Sequence, residues 1–208
     1  MTFKQATTAA IILAVTIAMT SILGVANAHN HEGEKPAMTG INVAALTLPE
    51  ITRGLEAGQF NSQDLTRAYL NRIDTIDRAG PTLNAVIAVN SSAMTLAKKS
   101  DMRRAKGEAL SPLDGVPFLL KDNIESKDRM PTTAGSTALV DNMTRRDSPL
   151  VARLRASGAI ILGKTNLSQW ANFRSSHSVS GWSAVGGLVK NPHVLDRQAC
   201  GSSSGSAA

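Results

Sequence analysis

Lys121 closes an apolar run, Val116-Pro117-Phe118-Leu119-Leu120, and Ser202-Ser203-Ser204 stand between Gly201 and Gly205. An amine and a cluster of hydroxyls are the parts of an amide-cleaving site that needs no histidine. Lysine acts as a base only when neutral, and burial supplies that condition, because a dry surrounding disfavours the ammonium. The run before Lys121 is a route into such an interior. The same residues allow a plainer reading: a lysine at a strand's end is commonly solvated, and Gly201 to Ala208 alone is a flexible Gly/Ser segment. His177 and His193 also lie among serines, but no Asp or Glu has a spacing that would orient either ring. The 4 histidines and 1 cysteine lack metal-ligand spacing, so neither a metal nor a cofactor is expected.

The elements that must carry these groups are legible from capping signals and periodicity. Thr47-Leu48-Pro49-Glu50 combines a threonine cap, a first-turn proline and a capping-box glutamate, with Gly58 as the stop. Asn61 or Ser62 caps a second helix, in which Leu65, Tyr69, Leu70, Ile73 and Ile76 recur at helical spacing to about Arg78. Ala79-Gly80-Pro81 ends it, and Leu83 to Val89 is a strand. Ser91 to Lys106 is helical, with Ala93, Leu96, Ala97 and Ala105 inward. Val116 to Leu120 is a buried strand delivering Lys121. Ser148-Pro149 opens a helix with Val151, Leu154 and Ala156 inward, followed by a strand from Ala159 to Leu162. Thr165 to Phe173 is a helical turn, and Ser175 to Asn191 is irregular. Helices and apolar strands alternate, so the class is α/β.

The N-terminus predicts export. Lys4 precedes an apolar zone, Ala9 to Leu23, and Ala26-Asn27-Ala28 offers small residues for cleavage, so residues 1–28 are read as a secretory signal peptide. The zone is interrupted and short for a membrane span. No stable membrane insertion is therefore expected after cleavage, and the location is secreted or periplasmic. Residues 29–45 form a flexible linker, in which His29-Asn30-His31 could chelate copper or nickel but is read as tail, and residues 46–208 form the remaining domain part. Cys200 cannot pair within the chain and is expected to pack before the Gly201 turn. The net charge of +6 is scattered and aromatics are only 3%, which argues against nucleic-acid binding.

The segments Leu83 to Ile87, Gly115-Val116-Pro117, Lys121-Asp122-Asn123-Ile124, Thr133-Ala134-Gly135-Ser136, Gly158 to Asn166 and Cys200 to Ala208 together resemble the amidase signature family. The resemblance runs from about Leu46 to Ala208. Asn166 to Ser175 is similar to the bacterial peptide-amidase branch. The resemblance implies a mixed central sheet flanked by helices, incomplete in this chain, and a Lys–Ser–Ser apparatus. Lys121 would be the base. Ser203 would relay the proton after a cis peptide bond from Ser202, where the family more often has glycine, and Ser204 would bond to backbone near the nucleophile. The backbone near Ala171 and Asn172 would line the substrate pocket, with Trp170 and Phe173 candidates for core. The nucleophilic serine would lie in a Thr-Asp-Gly-Ser type segment beyond Ala208, so these residues alone are expected to be inactive. The substrate would be a peptide C-terminal amide or another small carboxamide, hydrolysed with release of ammonia. The alternative is a non-catalytic truncated product or pseudo-enzyme. A membrane-tethered binding module is weaker, and a transfer-RNA amidotransferase role is disfavoured by the export signal.

Overall fold

Thr47 and Glu50 cap one another at the first helix, the Thr47 N–H donating to Glu50 Oε2 at 2.7 Å. This capping box, with Pro49 in the first turn, starts α1 (Leu48–Glu56). The computed structural model describes residues 41–208; the expected signal peptide and all but the last residues of the expected linker lie outside them. Asn61 caps α2 (Ser62–Arg72) by accepting from Asp64 N. A carboxylate from far along the chain assists, since Asp101 accepts from Ser62 N and Gln63 N at 2.7 and 3.2 Å. The helical path continues as a π-helix, Ile73–Ala79, and ends at Gly80.

The expected strand from Leu83 narrows to β1 (Val86–Val89). Asn84 takes a left-handed φ of 58°, which breaks the extended run, and Asp77 ties off the backbone by accepting from Ala85 N and Val86 N. Next come α3 (Ala93–Ala105), β2 (Pro117–Lys121), α4 (Pro149–Ala156, capped by Ser148) and β3 (Ile160–Thr165). On α3 the buried positions are Ala93, Ala97 and Ser100, and Ala105 is exposed. Ser100 faces inward because α2 and the Gly115 turn approach it: a methyl group at Gly115 would meet Ser100 Oγ at 2.4 Å and Ser62 Oγ at 2.8 Å. On α4, Val151 is buried and Leu154 half-buried, while Ala156 is exposed. The stretch expected to be irregular holds a small hairpin, β4 (Trp182–Ser183) with β5 (Gly187–Leu188). The chain closes with α5 (Ser204–Ala207).

β3 is the centre of a three-stranded mixed sheet, antiparallel to β1 and parallel to β2. All 6 of its residues are buried. Ile160 and Leu162 pack with Ile73, Ala93 and Ala97 from the helices. Ile161 packs with Leu120, Met130 and Val151 on the other side. Both faces of the sheet are thus covered by helices, as the α/β reading expected. Strict alternation would send Ile161 and Lys164 to opposite faces. A register irregularity between β2 and β3, where Phe118 pairs Ile161 but Leu119 pairs Gly163, cancels that alternation. Lys164 consequently points to the side of Leu120 and Met130, and Thr165 stays beside Lys121 and α5.

Candidate active site

β2 delivers Lys121 opposite Thr165 of β3, and the serine turn comes down onto that pair. The Lys121 Nζ donates to Ser202 Oγ at 2.9 Å. The amine is half-buried, and burial alone pushes its pKa below the ordinary lysine value. None of the ion pairs among the described residues includes it. An amine in this state has no carboxylate to hold its proton, and a neutral Nζ can accept a hydrogen bond where the ammonium only donates.

Ser202, not Ser203, is therefore the hydroxyl that the structure brings to Lys121. Ser203 follows it, exposed, at the N-cap position of α5 and makes no capping bond with its side chain. The described backbone contains no cis peptide bond, so the Ser202–Ser203 link is trans. Ser204 is buried, and its Oγ finds no hydrogen-bond partner among the described residues. Cys200 is exposed rather than packed. It and Gly201 both take left-handed φ values, 57° and 60°, and the reversal they make leaves the thiol outside while turning Ser202 toward the amine.

Three residues at and just beyond the end of β3, Thr165, Asn166 and Ser168, hold this turn. Ser168 Oγ donates to Gly201 O at 2.6 Å and accepts from Gly181 N at 2.8 Å, and Ser168 N donates to Ser202 O at 3.2 Å. Thr165 and Ser206 share a hydroxyl–hydroxyl bond of 2.8 Å. Asn166 O accepts from Gly205 N at 3.0 Å, while its side-chain amide donates to Asn84 O and Gly187 O and its side-chain oxygen accepts from Ser183. Gly205 must be glycine for this approach: an added methyl would meet Ala85 O at 2.2 Å and Asn166 N at 2.7 Å.

Ala171 and Asn172 sit in a 3-10 turn whose backbone is left-handed at Trp170, Ala171 and Asn172, with φ 50°, 52° and 68°. Non-glycine residues in that region store of order 1–2 kcal/mol each. The turn divides two clefts. One of about 370 Å³ is lined by Trp170, Asn172, Arg174, His177 and Trp182 among others. The second, of about 420 Å³, is lined by Asn123, Glu125, Thr132, Ala134, Trp170 and Ala171 among others. Lys121 and Ser202 line neither cleft, so the structure gives Ala171 and Asn172 a cleft but not a shared one with the amine. Phe173 is 74% exposed and is not core. His177 and His193 are exposed; His177 Nδ1 lies 3.1 Å from Ser176 Oγ with no carboxylate hydrogen-bonded to its ring.

The second lysine of the sheet was not singled out by its sequence context. Lys164 is fully buried, donates to Ile124 O at 2.7 Å and Thr132 Oγ1 at 3.0 Å, and lies 3.6 Å from Asp122. Burial pushes its pKa down, against the pull of the Asp122 charge. Burial likewise pushes the Asp122 carboxyl up, against donors from Thr133. The signal available in the sequence was a lysine inside the apolar strand Ile160 to Thr165, which must be paired if buried.

Comparison with known proteins places the chain in a family. The family model described as Amidase matches residues 64–208. A probable amidase of Arabidopsis thaliana is 44% identical over 168 residues, covering 80% of this chain and 32% of that protein. A glutamyl-tRNA(Gln) amidotransferase subunit from Natranaerobius thermophilus is 37% identical over 164 residues, covering 78% of this chain and 32% of that one. Among solved structures, native peptide amidase from Stenotrophomonas maltophilia is similar with a TM-score of 0.75 and 49% identity, over 78% of this chain and 33% of that one. The chain spans about a third of the length of these relatives. The chain thus belongs to the amidase family, with a mixed α/β fold like that of the solved amidases.

Proposed function

We propose that these residues carry the base and relay of an amide hydrolase that releases ammonia from peptide C-terminal amides or other carboxamides. The observation that carries this reading is the half-buried, carboxylate-free Lys121 amine at 2.9 Å from Ser202 Oγ. Neutral Lys121 takes a proton, through the serine turn, from a nucleophilic serine. The serine oxygen bonds to the amide carbon, and the relayed proton leaves with the nitrogen as ammonia. Water then cleaves the acyl-serine to a carboxylic acid and restores the hydroxyl. Ser203 is proposed as the relay, with Ser202 anchoring the amine. The exposed Ser203 hydroxyl is the nearest in sequence to that anchor and makes no capping bond. Ala171 and Asn172 are proposed to line the substrate pocket, supported by their strained backbone beside two clefts.

The nucleophile is proposed to lie outside residues 1–208, so the reaction belongs to a longer enzyme and the 208-residue chain alone is proposed to be inactive. The preference for peptide amides is supported by the likeness to the Stenotrophomonas maltophilia peptide amidase. A secreted or periplasmic location is proposed from the N-terminal pattern. No helix among the described residues is long and apolar enough to cross a membrane. The test is ammonia release from an amidated peptide by the complete enzyme and by its Ser202→Ala and Ser203→Ala variants. The relay assignment predicts that kcat falls by about 10²-fold or more in Ser203→Ala and far less in Ser202→Ala. The reverse order would transfer the relay to Ser202, and no ammonia release by the wild type would end the reading.

A further inference from the structure

Lys121 is half-buried and must keep its position at the end of a strand, where chain ends usually fray. The turn that follows it is anchored from beneath. Asp122 N donates to Thr165 O at 3.1 Å, and Asp122 O accepts from Ala134 N at 3.2 Å. The Asp122 carboxylate accepts from Thr133 N at 3.1 Å and from the Thr133 hydroxyl. Lys164 adds the third side: its amine reaches Ile124 O, Thr132 Oγ1 and Asp122 Oδ1 together. One ammonium thus joins both ends of the segment from Asp122 to Thr133, immediately after Lys121.

Two fully buried charges 3.6 Å apart are a costly way to fill a core, since apolar residues of similar volume are often as stable. The geometry offers a use that apolar residues could not meet. Two hydrogen-bond acceptors and a carboxylate at ion-pair distance, from separate points of the turn, converge on one Nζ. The register irregularity in β3 is what aims Lys164 into that position, opposite Leu120 and one residue before Thr165, the partner of Lys121.

We propose that Lys164 is a positioning residue for the amidase reaction: by clamping the Asp122–Thr133 turn it fixes the height at which β2 presents the Lys121 amine to the serine turn. This rests on the assignment of Lys121 as base. It assigns to Lys164 no contact with substrate. The charged groups acting on Lys164 are Asp122, Asp128 and Glu125, all from the segment it clamps.

The test follows Lys121 rather than turnover alone. Lysines of the purified enzyme are competitively acetylated with trace acetic anhydride across pH and read by peptide mass spectrometry, with exposed Lys98 and Lys99 as rate references. In the wild type the Lys121 reactivity midpoint is expected below the ordinary lysine value. In Lys164→Met it is expected to rise toward that value as the turn loosens, and kcat to fall about 10²-fold with KM little changed. Thr132→Val, which removes one acceptor and no charge, is expected to move the midpoint part of the way. If Lys164→Met does not fold, the Thr132→Val midpoint decides between the outcomes. A wild-type midpoint at the ordinary lysine value overturns the base assignment and this proposal with it. A low wild-type midpoint that neither folded variant moves overturns the positioning role and leaves the base assignment standing.

Discussion

Gly205→Ala strikes at the packing that brings the serines to the amine. The added methyl would sit 2.2 Å from Ala85 O, 2.7 Å from Asn166 N and 2.8 Å from Asn166 O, all backbone atoms, the first two hydrogen-bonded to each other. Ordinary contact begins at 3.4 Å, so the shortest approach must lengthen by 3.4 − 2.2 = 1.2 Å. The strand end cannot yield, because Asn166 is fixed through Asn84, Gly187 and Ser183, and the serine turn must retreat instead. That retreat removes the Gly205–Asn166 and Thr165–Ser206 bonds, worth about 1 kcal/mol each, and residual crowding adds about 1–2 kcal/mol. It also takes Ser202 Oγ, now at 2.9 Å, out of reach of Lys121. We expect a loss of about 3–4 kcal/mol in urea denaturation, or a midpoint lower by roughly 1–2 M. In the folded variant of the complete enzyme, we expect ammonia release to fall about 10²-fold. An unchanged urea midpoint together with unchanged hydrolysis would refute the claim that this close approach sets the site.

Other outcomes follow from the same geometry. Asn166→Ala removes a side chain that bridges three segments, and unfolding free energy should drop by about 2–4 kcal/mol, measured by urea denaturation. Asp114 is buried; burial raises its carboxyl, but the Arg103 pair and the Leu110 N–H outweigh it and hold it below the ordinary aspartate value of 3.8. The unfolded chain therefore binds this proton more readily, so the stability it contributes is present above 3.8 and is lost as pH falls through the folded value. Asp114→Asn should be less stable than wild type near neutrality, and the gap should narrow in acid, read from urea midpoints. For Lys121 the sign is the same but the window lies in base: with its folded value below 10.5, the unfolded chain binds more protons between the two values, and stability rises with pH across that window. Lys121→Met should abolish that part of the rise.

What was legible in the sequence was local. The Thr47–Glu50 box, the Asn61 and Ser148 caps, the Gly80 stop and the apolar strands all act over one or two turns, and the structure holds each of them. The α/β class followed from their alternation. What escaped was set by contacts between distant segments. Nothing near Asp101 announces that it caps a helix 39 residues earlier. Ser168 and Asn166 look like ordinary loop residues until the serine turn lies across them. The helical turn expected from Thr165 to Phe173 shrinks to a 3-10 turn at Gln169–Asn172 with left-handed backbone at Trp170, Ala171 and Asn172, and Thr165 belongs to β3. The irregularity that swings Lys164 to the far face shows only in the pairing of two strands. The sequence identified Lys121 and the serine cluster as partners, but which hydroxyl meets the amine depends on how Cys200 and Gly201 reverse the chain.

The most direct test is ammonia release from a C-terminally amidated peptide by the complete enzyme and by its Lys121→Met variant, measured across pH on protein shown to be folded. With Lys121 as base, wild-type kcat climbs through a midpoint below the ordinary lysine value of 10.5, and the variant loses about 10³-fold or more with no such limb. A folded Lys121→Met enzyme that releases ammonia at the wild-type rate would contradict that assignment.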